Sequence, residues 1–125
     1  ADGALDVRFF VASTTVVVAV PLFEEIFARG LLQRVAATQF ASIGSPRRAK
    51  IGAVVFASIA FTALHPPETY LPVFALSLAL GVLALRTGGV AAAVGFHAAH
   101  NAFAIFYERN LSAIVAKSGL FPGAQ

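Results

Sequence analysis

Four apolar runs, residues 22–40, 51–65, 70–85 and 90–106, make up most of the chain, and only short clusters of breakers and charges separate them. These are "GSPRRAK" at 44–50, "PPET" at 66–69 and "RTGG" at 86–89, with "YERN" at 107–110 ending the fourth run. The runs hold 15–19 residues each. As helices they would be about 22–28 Å long at 1.5 Å per residue, close to the ~30 Å hydrocarbon slab of a bilayer. Strands are disfavoured, because the runs are long, rich in Ala and Leu and lack polar alternation. An open sheet would also leave unpaired backbone in lipid. The predicted fold class is all-α: a polytopic membrane helix bundle of about four transmembrane helices plus a short N-terminal apolar segment.

That N-terminal segment, Phe9 to Val20, is too short to span alone and reads as the stump of an upstream helix. A continuous helix from Phe9 to Phe40 would run about 48 Å. A break or kink is therefore predicted at Pro21, which lacks an amide donor. Composition agrees with a lipid solvent: 58% hydrophobic, 12% charged and a mean hydropathy of +0.82, against about 45–50% apolar and about 25% charged in soluble domains. Residues 1–125 are read as a single membrane-embedded domain, with 1–20 upstream, 21–106 as core and 107–125 as a tail without an assigned role. No internal repeat interrupts it.

The formal charge is +3 and the pI about 10.0, but the nine Lys and Arg residues are scattered or sit in short loops, so no nucleic-acid partner is expected. Arg47, Arg48, Lys50 and Arg86 instead read as topology signals that the positive-inside rule assigns to the cytoplasm. Cysteine is absent, which removes disulfides and thiol chemistry. Methionine is absent too, so the chain is expected to be processed or excised from something longer. Its opening "ADGALDVR" is acidic before the apolar run, unlike a signal peptide.

Polar residues inside the runs need a reason, since a charge at the centre of a membrane helix costs at least about 2.5–3.5 kcal/mol. In "PLFEEIFARGLLQRV" (21–35), Glu25 and Arg29 are four apart with the acid first, the orientation that favours an ion pair. Glu24 lies about 100° round the helix, leaving it as a free carboxylate, a base or a ligand. In "FTALHPP" (61–67), Phe61 and His65 share a face and two prolines end the helix behind the imidazole. The negative helix end favours a cationic or metal-bound His65. In "GFHAAHNA" (95–102), His97 and Asn101 are four apart on one face. Ala91, Gly95 and Ala99 form a small-residue ridge for close helix approach, and His100 reads as packing or support. Helix-length arithmetic puts Glu24 and His65 nearly level and His97 and Asn101 somewhat deeper, so one polar pocket opening toward "PPET" accommodates them. Converging carboxylate, imidazole and amide groups in a low-dielectric bundle suit the activation of water.

"EEIFAR" at 24–29, "FTALH" at 61–65 and "HAAHN" at 97–101 resemble, in order and spacing, the Glu-Glu-x-x-x-Arg, Phe-x-x-x-His and His-x-x-x-Asn motifs of the CAAX-protease and bacteriocin-processing (Abi) intramembrane endopeptidases. The resemblance covers about Pro21 to Phe106. It implies an integral membrane protein of a prokaryotic cell membrane that hydrolyses a peptide bond in a membrane-associated protein or small peptide, prenylated substrates included. Glu24 would be the base on water, assisted by His65; His97 and Asn101 would stabilise the oxyanion; Glu25 and Arg29 would hold the first helix. The implied cofactor is zinc on Glu24, His65 and His97, or none, with water activated directly. No "HExxH" is present to argue for the soluble zinc-peptidase arrangement. The competing reading is a non-enzymatic membrane module, giving toxin immunity or scaffolding, that uses the same residues as helix glue. An ion or solute pathway has only the buried charges in its favour, without paired broken helices.

Overall fold

In the computed structural model, which describes residues 7–118, the chain is helical apart from its connections. Helix α1 runs from Val7 to Ala41, α2 from Pro46 to Ala63, α3 from Tyr70 to Thr87 and α4 from Ala91 to Ser118; a single 3₁₀ turn, Pro67–Thr69, leads into α3. Each helix packs on the next, and α4 returns to the first half of α1 to close the bundle. Short connections between antiparallel neighbours fit this arrangement. Among the described residues, two segments, Val7–Ala41 and Pro67–Thr87, are long and apolar enough to cross a membrane.

The packing is inverted relative to a water-soluble domain. The buried apolar residues are mostly Ala28, Ala36, Ala49, Ala53, Ala57, Ala84 and Ala93, whereas Phe10, Phe23, Ile59, Leu71 and Phe103 lie on the outside. Where lipid is the solvent, large side chains gain nothing by turning inward, and small ones let helices approach. Gly81 marks the tightest point. A Cβ there would stand 2.9 Å from both Val54 Cγ1 and Gln33 Oε1, so α1, α2 and α3 meet across a residue with no side chain.

Several boundaries differ from those predicted. The chain does not break at Pro21: the segment Phe9–Val20 is the first half of α1. A π turn, Thr15–Ala19, precedes Pro21, with the Val20 amide bonded to the Thr15 carbonyl. The wider turn leads the helix into the proline without requiring its missing donor. Helix α2 begins earlier than Ile51, because Ser45 caps it, its Oγ accepting from the Arg48 amide, and Pro46 occupies the first turn. "YERN" is not a loop. It contains neither Gly nor Pro, and α4 continues through it, with Asn110 donating to the Phe106 carbonyl. The boundaries of α3 match the expected run, closed by Gly88 in the left-handed conformation (φ 72°). The predicted ridge of Ala91, Gly95 and Ala99 is exposed; Ala93 and His97 form the buried face of α4 instead. Burying His97 against α1 fixes the rotation of the helix and turns His100 outward as well.

Gly81→Val is expected to lower stability by about 1–3 kcal/mol, the usual cost of overpacking. Thermal unfolding of the detergent-solubilised variant against the parent measures it.

Candidate active site

The buried stripe of α1 carries Pro21, Glu25, Ala28, Arg29, Gln33 and Ala36. Its three polar members are spaced by four, which keeps them in line along one helix face. Ile26–Leu32, holding Arg29, is a second π turn, a feature that often marks functional positions.

Glu25 is completely buried, and its Oε1 accepts from Arg29 Nη1 at 3.0 Å and from His97 Nδ1 at 2.9 Å. Arg29 Nη2 continues the network into α3, donating to the Ser77 carbonyl at 2.8 Å and to Ser77 Oγ at 2.7 Å. The guanidinium also sits 5.0 Å from the centroid of the Phe61 ring of α2, a cation–π contact. Four helices thus meet on one ion pair. The i,i+4 pairing of Glu25 with Arg29 expected from the sequence is present, and Glu24 is left outside it.

Glu24 stands at the edge of this cluster with its side chain 30% exposed, and its Oε2 lies 3.6 Å from His97 Nε2. The imidazole is therefore gripped at Nδ1 by one glutamate and faces the other with Nε2. With Nδ1–H donated to Glu25, Nε2 is the ring atom left to face Glu24. Glu24 Oε2 is thus the acidic group that Nε2 faces, 3.6 Å away.

His65 lies just beyond the end of α2, half-buried, with Nδ1 2.9 Å from the Phe61 carbonyl. A carbonyl can only accept, so Nδ1 carries a hydrogen and Nε2 is the ring atom left for other partners. The ring packs on Phe61, centroids 4.6 Å apart, and Phe61 in turn meets His97 edge-on at 6.3 Å. Phe61 therefore connects the two imidazoles. Asn101 Nδ2 donates to the Val16 carbonyl in the first π turn of α1 at 3.0 Å. It ties α4 to α1 one turn from His97 and shares no hydrogen bond with Glu24, Glu25 or His97.

The same geometry bears on the implied zinc. Glu24 Oε2 and His97 Nε2 face each other, and Glu25 on the other ring nitrogen resembles the carboxylate that orients a metal-bound histidine. Among the described residues, however, no group of three or more His, Cys, Asp or Glu side chains converges to hold an ion. As placed, the residues do not fit a three-ligand zinc centre.

Two members of the cluster were not anticipated. Ser77 is the one hydroxyl inside the apolar run of α3 below Tyr70, and Gln33 continues the Glu25–Arg29 spacing, with Nε2 donating to the Gly81 carbonyl at 3.2 Å. Both signals, an isolated polar residue and a four-residue spacing, are present in the sequence.

Replacing Arg29 by Leu leaves Glu25 buried without a counter-charge, and a loss of about 3–5 kcal/mol is expected. Ser77→Ala keeps the carbonyl acceptor and is expected to cost about 1 kcal/mol. Unfolding in detergent, followed by helical circular dichroism, ranks the two.

The family model described as type II CAAX prenyl endopeptidase, Rce1-like, matches residues 6–103. No curated protein and no solved structure matches the chain.

Proposed function

Because this chain belongs to the Rce1-like family of type II CAAX prenyl endopeptidases, we propose that it is an intramembrane endopeptidase whose Glu24 activates the attacking water. The observation that carries this reading is the unequal treatment of adjacent glutamates. Glu25 is buried and doubly hydrogen-bonded, while Glu24 is part-exposed and faces a histidine. The substrate is a protein or small peptide held at the membrane, with prenylated C-terminal segments as the first class to test. All four helices are read as membrane-embedded, the two less apolar ones, α2 and α4, included.

In the proposed reaction, water is placed beside Glu24 and His65 Nε2. Glu24 takes a proton as the water oxygen bonds to the scissile carbonyl carbon, giving a tetrahedral oxyanion. His97, oriented by Glu25 and protonated at Nε2, and the second N–H of Asn101 supply donors to that oxyanion. Collapse breaks the C–N bond, and the proton held by Glu24 passes to the leaving amine. Arg29, fixed by Ser77 and Phe61, holds Glu25 in place as the acceptor for His97 Nδ1–H. Water is activated directly in this scheme, since the donors stop short of a metal cage.

Glu24→Gln is expected to reduce cleavage of a prenylated peptide in proteoliposomes by about 10²–10⁴-fold while leaving the melting temperature unchanged. Glu25→Gln should lose both activity and stability. Parent-like cleavage by the Glu24 variant would remove the base from the mechanism. Exhaustive chelation should leave the rate unaltered; a loss that zinc restores would overturn direct activation. One observation favours the non-enzymatic reading: Glu25, Arg29, Ser77 and His97 bond to one another across three helices as helix glue would. That reading requires the parent protein itself to cleave no prenylated peptide and only Glu25→Gln, not Glu24→Gln, to change anything measured, so the parent and the same two variants separate the proposals.

A further inference from the structure

A groove of about 460 Å³ lies between α3 and α4, away from the catalytic cluster. Leu78, Val82 and Leu83 of α3 and Phe96 of α4 line it, and its one charged group is Arg86 at the end nearest the α3–α4 turn. From Leu78 to Arg86 the groove follows α3 for about 12 Å. Apolar along that length, the groove offers hydrocarbon chains a surface that ends at a cation.

The charge at its end selects among lipids. Arg86 is exposed, and no acidic side chain pairs with it among the described residues. Arg34, Arg47, Arg48 and Lys50 belong to the same end of the bundle, and no Asp or Glu occurs in residues 26–67 or 69–107. A zwitterionic headgroup would bring its own cation against this face. A headgroup with net negative charge would not.

We infer that the α3–α4 groove is a binding site for an anionic glycerophospholipid, its acyl chains along Leu78–Leu83 and Phe96 and its phosphodiester on Arg86. The site is independent of the proposed peptidase chemistry, sharing no residue with it. Arg86 carries its charge to the headgroup level on a flexible stem, as arginines near helix ends do.

The chain has no tryptophan, so Phe96→Trp places a single fluorophore in the groove, and Phe103→Trp provides one on the exposed lower part of α4. Each variant is reconstituted in phosphatidylcholine vesicles containing a small, equal mole fraction of brominated phosphatidylglycerol or brominated phosphatidylcholine. In the Phe96→Trp protein, brominated phosphatidylglycerol is expected to quench the indole at about fivefold lower mole fraction, the factor for one basic contact with an anionic headgroup. The Phe103→Trp protein should respond equally to both lipids. Adding Arg86→Gln to Phe96→Trp should abolish the preference, while adding the double change Arg47→Gln, Arg48→Gln should leave it. Equal quenching of the groove fluorophore by the two lipids, or a preference that survives Arg86→Gln, overturns the inference. So does a groove fluorophore that neither lipid quenches, since the groove would then be covered by protein.

Discussion

A carboxylate with no exposed surface, Glu25, sits inside a bundle whose outer face is apolar, and the structure is arranged around keeping it neutralised. Leaving such a charge alone would cost several kcal/mol, and each helix contributes to preventing that. α1 supplies Arg29, α2 the Phe61 ring over the guanidinium, α3 both oxygens of Ser77, and α4 His97. A buried ion pair of this kind is a poor source of net stability, because matched apolar groups could replace it. What it supplies is register. The partners can be satisfied in one rotation and one height of each helix, as the exposure of Ala91, Gly95 and Ala99 illustrates: the small-residue ridge gave way to the face that carries His97.

The same arrangement separates the two glutamates chemically. Adjacent residues differ by about 100° around a helix, enough to carry Glu25 into the centre and leave Glu24 at the edge. Glu25 spends its hydrogen-bonding oxygen on Arg29 and His97. Glu24 faces the remaining nitrogen of the same imidazole across 3.6 Å. One histidine thus links a buried carboxylate with one at the edge of the cluster, and exchanging their places would require turning α1 by about 100°. Pairs of titratable groups held in unlike environments are the usual means by which a site divides acid and base duties.

Much of this was legible in the chain. The all-helical class followed from run length and the lack of alternation, and the Glu25–Arg29 pair from a four-residue spacing. The site was legible as far as Glu24, Glu25, Arg29 and His97, which do meet, with His65 joined through Phe61. What escaped depends on rotation and depth. Helical spacing puts Asn101 on the face of His97, yet it cannot say that one further turn along α4 the neighbour is the Val16 carbonyl. Ser77 and Gln33 escaped because a single hydroxyl or amide in an apolar run acquires meaning only when its cross-helix partner is known. The expectation of a loop at "YERN" failed for a simpler reason: charge marks a boundary of lipid, not of helix.

The unbroken passage of α1 through Pro21 leads furthest. A proline predicts a break if the only alternative is an α-helix with one bond missing and one carbonyl crowded. Here a π turn, Thr15–Ala19, comes before it and a second, Ile26–Leu32, begins directly after Glu25. Each π turn accommodates an extra residue, and an extra residue displaces everything downstream by about 100°. The short segment between them, Val20–Glu25, carries both glutamates, so its facing is set separately from the halves of α1 on either side. The carbonyl that Asn101 holds belongs to the first π turn, and the arginine that Glu25 holds belongs to the second. In a strict α-helix of the same sequence these two grips would face different directions. The irregularity that lies ahead of the proline in α1 is therefore also where α4 takes hold of α1 through Asn101.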